Sequence, residues 1–439
     1  MLQSVPVPQL TNCDRQILYH YFEDAWELEE ILFKSLVQEE TFYLNPDPLR
    51  NRLIFYLGHS AVFYINKLIR VGLLKQRINP EYEILFEIGV DPETPEELET
   101  EIKDISWPSV EDVWQYRHRA RDEITSVINQ TDLNLPIASQ HPLWALMMGT
   151  EHSRIHFETS SMLLRQLSVE RLERPSVWRY APSESKIYQN KMLLVPGGVA
   201  KLGKSRQDTT YGWDNEYGTL QATVKPFFAS KYLISNQEFL EFVKDRGYHN
   251  PEFWDDQSWT WLQNHQIQHP KFWILNKAGY QYRAMFDVID LPLNWPVEVN
   301  YYEAMAYCAW KGQNIRLMTE AEWQVASAHC QEEQNFNLHV KFGSPCPVGT
   351  LPNADQASGL YDIRGNVWEW LSDDFTPLPG FKPHRLYEDY SAPFFDVNHK
   401  VMRGGAWAST GAYASVSCRN WFRRNFYQHV GFRIARDYD

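Results

Sequence analysis

The sequence predicts an α+β chain of two domains, a four-helix bundle followed by a domain of short strands and loops. Two observations predict it. Through the first 170 residues apolar side chains recur every three or four positions, and from Lys191 onward that rhythm gives way to short strand-like runs, Gly/Pro/Asn turns and tryptophans. All but Trp26 of the 17 tryptophans lie beyond residue 100, so the two parts pack by different means. At 439 residues and 44% hydrophobic content, the chain can build two or three domains with proper cores.

The elements follow in order. Over residues 12–37, Ile17, Leu18, Tyr21, Phe22, Trp26, Ile31 and Leu32 keep helical spacing, with Thr11, Asn12 or Asp14 able to cap the start. A second helix spans about 52–70, where Phe55, Tyr56, His59, Val62, Phe63, Asn66 and Ile69 repeat the pattern. Residues 72–107 read as a long connection, acidic from Asp91 to Asp104 and broken by Pro80, Pro92 and Pro95. Ser109, with Asp112 three residues on, caps a third helix that reaches about residue 129, and a fourth runs over about 143–167. These helices assign residues 1–170 to the bundle, with one long crossover. Residues 171–190, charged and polar with Pro175 and Pro182, read as a linker, and 191–439 as the second domain. There a strand and turn at 192–198 are followed by helices near 236–246, 301–311 and 319–327, the last with Thr319 and Glu322 as a capping box.

Charge and composition exclude several classes. A net charge of −14 with no long basic run argues against nucleic acid and anionic membranes as partners, leaving small molecules. No apolar run of about 18 residues appears. The N-terminus lacks the basic start and apolar stretch of a signal peptide, so a cytoplasmic protein is expected. Cys13, Cys308, Cys330, Cys346 and Cys418 are odd in number and scattered, which suits reduced thiols, so a metal would be held by histidine or carboxylate. The sequence sets no oligomeric state.

The chemistry centres on His152 and His156, four apart in the fourth helix and therefore on one face, where two imidazoles can aim at one ion. Fourteen histidines produce some such pairs by chance, and a lone core histidine usually makes a hydrogen bond. Two imidazoles hold a metal weakly, so a third ligand is expected from another helix. His59 of the second helix can meet the pair in the bundle core.

Several stretches resemble known families. Gly365-Asn366-Val367-Trp368-Glu369-Trp370, Arg403-Gly404-Gly405-Ala406-Trp407 and Gly431-Phe432-Arg433 resemble the formylglycine-generating-enzyme (sulfatase-modifying) fold, a variant of the C-type lectin fold. The first 170 residues, with Tyr56-Leu57-Gly58-His59 and the histidine pair, resemble a DinB-type metal-binding bundle. In this order the two resemble the iron-dependent sulfoxide synthases of thiohistidine biosynthesis. The core is most similar to the ovothiol type, through the stretch from Asn51 to His59, Arg77-Ile78-Asn79-Pro80, the stretch from Tyr211 to Gly218, and Phe422-Arg423-Arg424. That type usually carries a C-terminal methyltransferase domain, which this sequence does not include. Arg419-Asn420-Trp421 instead resembles the ergothioneine type.

The resemblance implies that His59, His152 and His156 bind Fe(II), leaving positions on the ion for a thiolate, a substrate imidazole and O2. It implies that Asn420 and Trp421 contact hercynine, the trimethylated histidine, whose quaternary ammonium also suits an aromatic face. Arg423 and Arg424 can pair with the carboxylate of a free amino acid, or with the chain's own carboxylates. Phe422 stands where the enzymes using γ-glutamylcysteine have Asp, which favours cysteine as donor. Family members place a catalytic tyrosine shortly after Asn-Val-Trp. Residues 371–380 contain none, and Tyr82 is the candidate to replace it. The expected reaction is hercynine, cysteine and O2 giving hercynylcysteine sulfoxide. Alternatives are an ovothiol-type synthase using histidine, a selenium donor in place of the thiol, and a non-catalytic binding module. A formylglycine-type oxidase would need a cysteine pair near the C-terminus, where Cys418 stands alone.

Overall fold

Asp14 accepts the Ile17 amide at 2.8 Å and starts the first helix, α1 (Arg15–Phe33). It opens one of two units in the computed structural model, which describes residues 4–87, 89, 92, 94–183, 188–312, 314–328, 330, 335–351 and 358–438. Of these residues, 4–176 with 209–211 form one unit and those within 177–208 and 212–438 the other.

In the first unit α1 is followed by α2 (Leu53–Arg70), α3 (Pro80–Leu85), α4 (Pro95–Ile102), α5 (Val110–Gln130) and α6 (Trp144–Arg165). Ser109 caps α5, its Oγ accepting the Asp112 amide at 3.1 Å. The short α3 and α4 correct the expectation of an unstructured connection over 72–107. Pro80 and Pro95 stand at the first helical position, just after the caps Asn79 and Thr94, where a missing N–H costs nothing. They start helices rather than breaking one. Asp91, the start of the expected acidic stretch, lies outside the described residues.

α2 is buried at every position over 53–65, and α6 at every position over 144–154. A helix buried all round lies at the centre of its unit, so each polar residue on it needs a partner or a purpose. The ring of Tyr64 on α2 meets Phe22 of α1 edge-on, 5.5 Å between centroids. On α6, Gly149 lets the same ring come close: a Cβ there would lie 2.3 Å from Tyr64 Cδ1.

The second unit runs β1 (Met192–Val195), β2 (Gly198–Leu202), β3 (Leu220–Val224), β4 (Phe227–Ser230), α7 (Asn236–Lys244), α8 (Asp256–His265), β5 (Trp273–Asn276), β6 (Gly279–Arg283), β7 (Val288–Asp290), α9 (Tyr301–Lys311), β8 (Arg316–Leu317), α10 (Glu320–Ala326), β9 (Trp368–Asp374), β10 (His399–Arg403), β11 (Asn420–Arg423), β12 (Val430–Gly431) and β13 (Ile434–Asp437). Among the described residues the sheets are β1-β4-β13-β8, β11-β10-β9-β12, β5-β6-β7 and the pair β2-β3. Only the β12–β9 pairing is parallel among them. Capping boxes at Ser235/Glu238, Asn300/Glu303 and Thr319/Glu322 start α7, α9 and α10. α8 was not expected; only Ser258 and Leu262 of it are buried, so it has no apolar stripe to read. Within the stretch expected to link the domains, Trp178 is 3% exposed and donates from Nε1 to the Gly343 carbonyl at 2.9 Å; residues 184–187 lie outside the described set. No helix among the described residues is long and apolar enough to cross a membrane.

The contact at Gly149 inverts an ordinary substitution. Gly→Ala inside a helix normally stabilises by about 1 kcal/mol, whereas the Cβ here collides with a buried ring. We expect Gly149→Ala to cost about 1–3 kcal/mol through overpacking, measured as a lower thermal midpoint; an unchanged or raised midpoint would show that α2 and α6 are not in close contact.

Candidate metal centre

His59 lies mid-helix on α2, and His152 and His156 stand one turn apart on α6. One nitrogen from each comes within 4.8 Å of the others. The ring centroids are 4.9 Å apart for His59–His152, 4.7 Å for His59–His156 and 4.4 Å for His152–His156. Helical spacing brings the α6 pair together, and the packing of α2 on α6 adds the third ring.

Aromatic side chains hold these rings in place. Phe63, one turn after His59, lies flat on His152 with centroids 3.6 Å apart and planes 5° apart. Phe55, one turn before, stacks on His59 at 4.8 Å. His59 Nδ1 is 2.6 Å from the Phe86 carbonyl oxygen. A carbonyl can only accept, so Nδ1 carries the proton and Nε2 keeps its lone pair for a ligand. Gly58 makes this possible, since a Cβ there would meet the Phe86 ring at 2.7 Å.

Burial also fixes the charge state. It pulls the His59 imidazole down to about 4, against the Phe86 bond and with help from the charge of Lys67. His152 and His156 are held well below the ordinary histidine value, first by burial and then by the neighbouring imidazoles. All three are therefore neutral near pH 7, the form that binds metal.

The donor set fits a divalent first-row transition metal, for which imidazole is a suitable ligand. Two nitrogens each about 2.1 Å from one ion lie at most about 4.2 Å apart, so a small inward movement closes the group. His156 Nδ1 is buried without a hydrogen-bond partner among the described residues, a cost that ligation through this nitrogen would offset.

The other expected residues fall elsewhere. Tyr82, half-buried on α3, meets Phe86 edge-on at 5.8 Å and tilts against Tyr116, and burial raises its hydroxyl. Asn420, Trp421 and Arg423 lie on β11 of the second unit, with Arg424 just beyond it. Successive strand residues point to opposite faces, so Asn420 and Trp421 flank the strand. Trp421 stacks on Phe375 at 4.4 Å and 5°, and Tyr390 meets it at 5.2 Å and 77°. Tyr390 is thus a tyrosine beside Trp421 that sequence reasoning missed, because it comes from a separate loop. Arg424 donates to the Val397 carbonyl at 2.6 Å and lies 3.7 Å from Asp374, yet its Nε is buried without a hydrogen-bond partner among the described residues. Phe63 and Phe86 were also missed as supports of the histidines. Phe63 could have been found at four residues from His59, but the role of the Phe86 carbonyl has no sequence signal.

The second unit defines the class. Residues 179–438 match the sulfatase-modifying factor enzyme 1-like domain, and the chain belongs to that family. Among curated relatives, it is 35% identical to hercynine oxygenase of Mycobacterium tuberculosis over 54% of this chain and 58% of that one. It is 25% identical to ergothioneine biosynthesis protein 1 of Neurospora crassa over 95% of this chain and 57% of that one. It is 26% identical to inactive C-alpha-formylglycine-generating enzyme 2 of Bos taurus over 50% of this chain and 77% of that one. The chain thus spans a little over half the length of the first two relatives.

The neutral histidines make stability depend on pH. An unfolded imidazole takes a proton near pH 6.5, whereas folded His59 resists it until about pH 4. Between these values the unfolded state binds more protons, so stability is lost as pH falls, by about 3 kcal/mol from His59 alone. The metal-free protein should lose more thermal stability between pH 7.5 and 4.5 than a His59→Asn variant does; parallel losses would contradict a buried, neutral His59.

Proposed function

We propose that the chain is a non-haem iron sulfoxide synthase that joins the sulfur of cysteine to the imidazole ring of hercynine, giving hercynylcysteine sulfoxide in ergothioneine biosynthesis. One observation carries the reading. A group of three imidazoles, two buried and one half-buried, lies in a chain that aligns over 95% of its length with an ergothioneine biosynthesis protein. In this reading the helical unit is a DinB-type bundle, and the enzyme works in the cytoplasm on small molecules.

The reaction balances without another reductant. Hercynine gives up a ring C–H and cysteine its S–H, a C–S bond forms, one oxygen of O2 ends on sulfur and the other leaves as water. Iron(II) held by His59, His152 and His156 would supply the redox chemistry that lets O2 react with these substrates.

The chain's own residues supply the rest. Neutral imidazoles would leave the positive charge of a bound ion uncompensated, which would favour the thiolate of cysteine over the thiol. Holding the sulfur and the ring carbon side by side makes bond formation effectively intramolecular. Trp421 is the proposed contact for hercynine, with the indole attracting its quaternary ammonium, while Asn420, expected beside it, points to the other face of β11. Arg423 and Arg424 are the proposed partners of the cysteine carboxylate.

The deciding experiment supplies hercynine and histidine together with cysteine, O2 and the Fe(II)-loaded protein, with products read by mass spectrometry. The expected product is the hercynine–cysteine sulfoxide. Predominant histidine product would make this an ovothiol-type enzyme, and no product from either would direct the search to selenium donors. His152→Ala should abolish turnover. Trp421→Ala should raise the KM for hercynine at least several-fold more than that for cysteine, whereas equal changes would assign Trp421 to packing against Phe375.

A further inference from the structure

α1 contributes none of the three histidines, yet it grips both helices that do. Glu29 of α1 is 1% exposed, and its Oε1 accepts the Ser60 hydroxyl at 2.6 Å, one residue after His59. Arg117 of α5, also fully buried, reaches Glu29 Oε2 at 3.4 Å and donates to the Leu57 carbonyl at 2.8 Å, two residues before His59. The α2 backbone is thereby held on both sides of its histidine. α6 is held in the same way: the Tyr21 hydroxyl donates to Glu151, one residue before His152. Arg154, two residues after it, donates to the Tyr21 carbonyl at 3.0 Å and pairs with Asp24 at 2.9 Å.

Such an arrangement is poorly explained by stability alone. Burying a carboxylate and a guanidinium costs several kcal/mol for each ion, and an apolar pair of similar shape often serves as well or better. What a charged, hydrogen-bonded brace adds is a fixed register. A slide of α2 by one residue rise is about 1.5 Å, comparable with the metal–nitrogen bond of about 2.1 Å itself, and would carry His59 out of the group.

We propose that Glu29 is a positioning residue for the metal group: through Ser60 and Arg117 it sets α2 against α1, which is tied in turn to α6 beside His152. The proposal rests on reading His59, His152 and His156 as metal ligands.

Cobalt(II) tests it, since its affinity is measurable by titration and its visible absorption reports ligand geometry. The key variant is Glu29→Leu/Arg117→Met, which removes both charges and fills the space. Its thermal midpoint should stay near that of the parent, while Co(II) binds about 10–100-fold more weakly, as when orienting partners of metal ligands are lost, and the absorption bands shift. Glu29→Gln, which keeps an oxygen for Ser60, should recover part of the loss. A double variant with parental affinity and spectrum would overturn the proposal and leave Glu29 a stability role. Should the double variant not fold, Ser60→Ala decides with the ion pair intact: about tenfold weaker binding supports the positioning role, and unchanged binding overturns it. If the parent binds no Co(II), or binds it equally well as His152→Ala, the metal reading itself fails and takes this proposal with it.

Discussion

The structure of the first unit depends on gathering three imidazoles in its interior, with His59 and His152 buried and His156 half-buried. A buried imidazole cannot easily take a proton, and three within one cluster cannot all carry charge. Burial thus does two things at once: it holds His59, His152 and His156 in the neutral form and removes the solvent that would otherwise satisfy their nitrogens. The second effect is expensive unless something replaces the water. For His59 the Phe86 carbonyl does so on Nδ1, which leaves the Nε2 lone pair for an ion.

Other features of the unit follow from that choice. The histidine-bearing helices are the central ones: α2 is buried at every position over 53–65 and α6 over 144–154, with His156 half-buried one turn after His152. Central helices must also approach closely. Gly58 admits the Phe86 ring, and Gly149 admits that of Tyr64; both glycines sit within three residues of a histidine. A residue with a Cβ at either position would push the supporting ring away. The aromatic rings of Phe55 and Phe63 fill the remaining space and leave the imidazoles few orientations.

What could be read from the sequence has a physical pattern. Caps were legible because a side-chain oxygen three residues before a paired acid is a local event: Ser109 and Thr319 both start helices. The α6 pair was legible because its geometry is internal to one helix. His59 was expected in the group only because a resemblance and a bundle fold both put it there; nothing in α2 alone singles it out. The support from Phe86 arises from a backbone carbonyl, which every residue has, so no side-chain pattern marks it. Pro80 and Pro95 misled because a proline at the first position of a helix looks, without its structure, like a proline between helices. The stacking of Trp421 on Phe375 was not legible either, since it brings a residue of β11 against one just past β9, with β10 between them in the chain.

The motifs that mark the second unit turn out to serve its scaffold. A domain with so many loops has carbonyls that no helix or sheet can satisfy, and each must find another donor. Asn366, at a left-handed φ of 71°, binds both the N–H and the carbonyl of Cys346, at 2.8 and 3.1 Å. Arg433 donates to the carbonyls of Ser230 and Tyr361 while paired with Glu369 at 3.2 Å. Arg403 donates to Val416 and Arg419 to Asn215 and Thr376, with Glu320 between the two guanidinium groups. Burial alone would raise the Glu320 carboxyl, but Arg419 and Arg403 hold it down to about 2, so the bridge keeps its charge at any ordinary pH. These residues would be needed in any protein built on this scaffold, whatever its activity, because removing one strands a buried charge or carbonyl. They therefore identify the fold and leave the chemistry undetermined. The three histidines of the helical unit answer no such requirement of the scaffold, and the proposed activity rests on them.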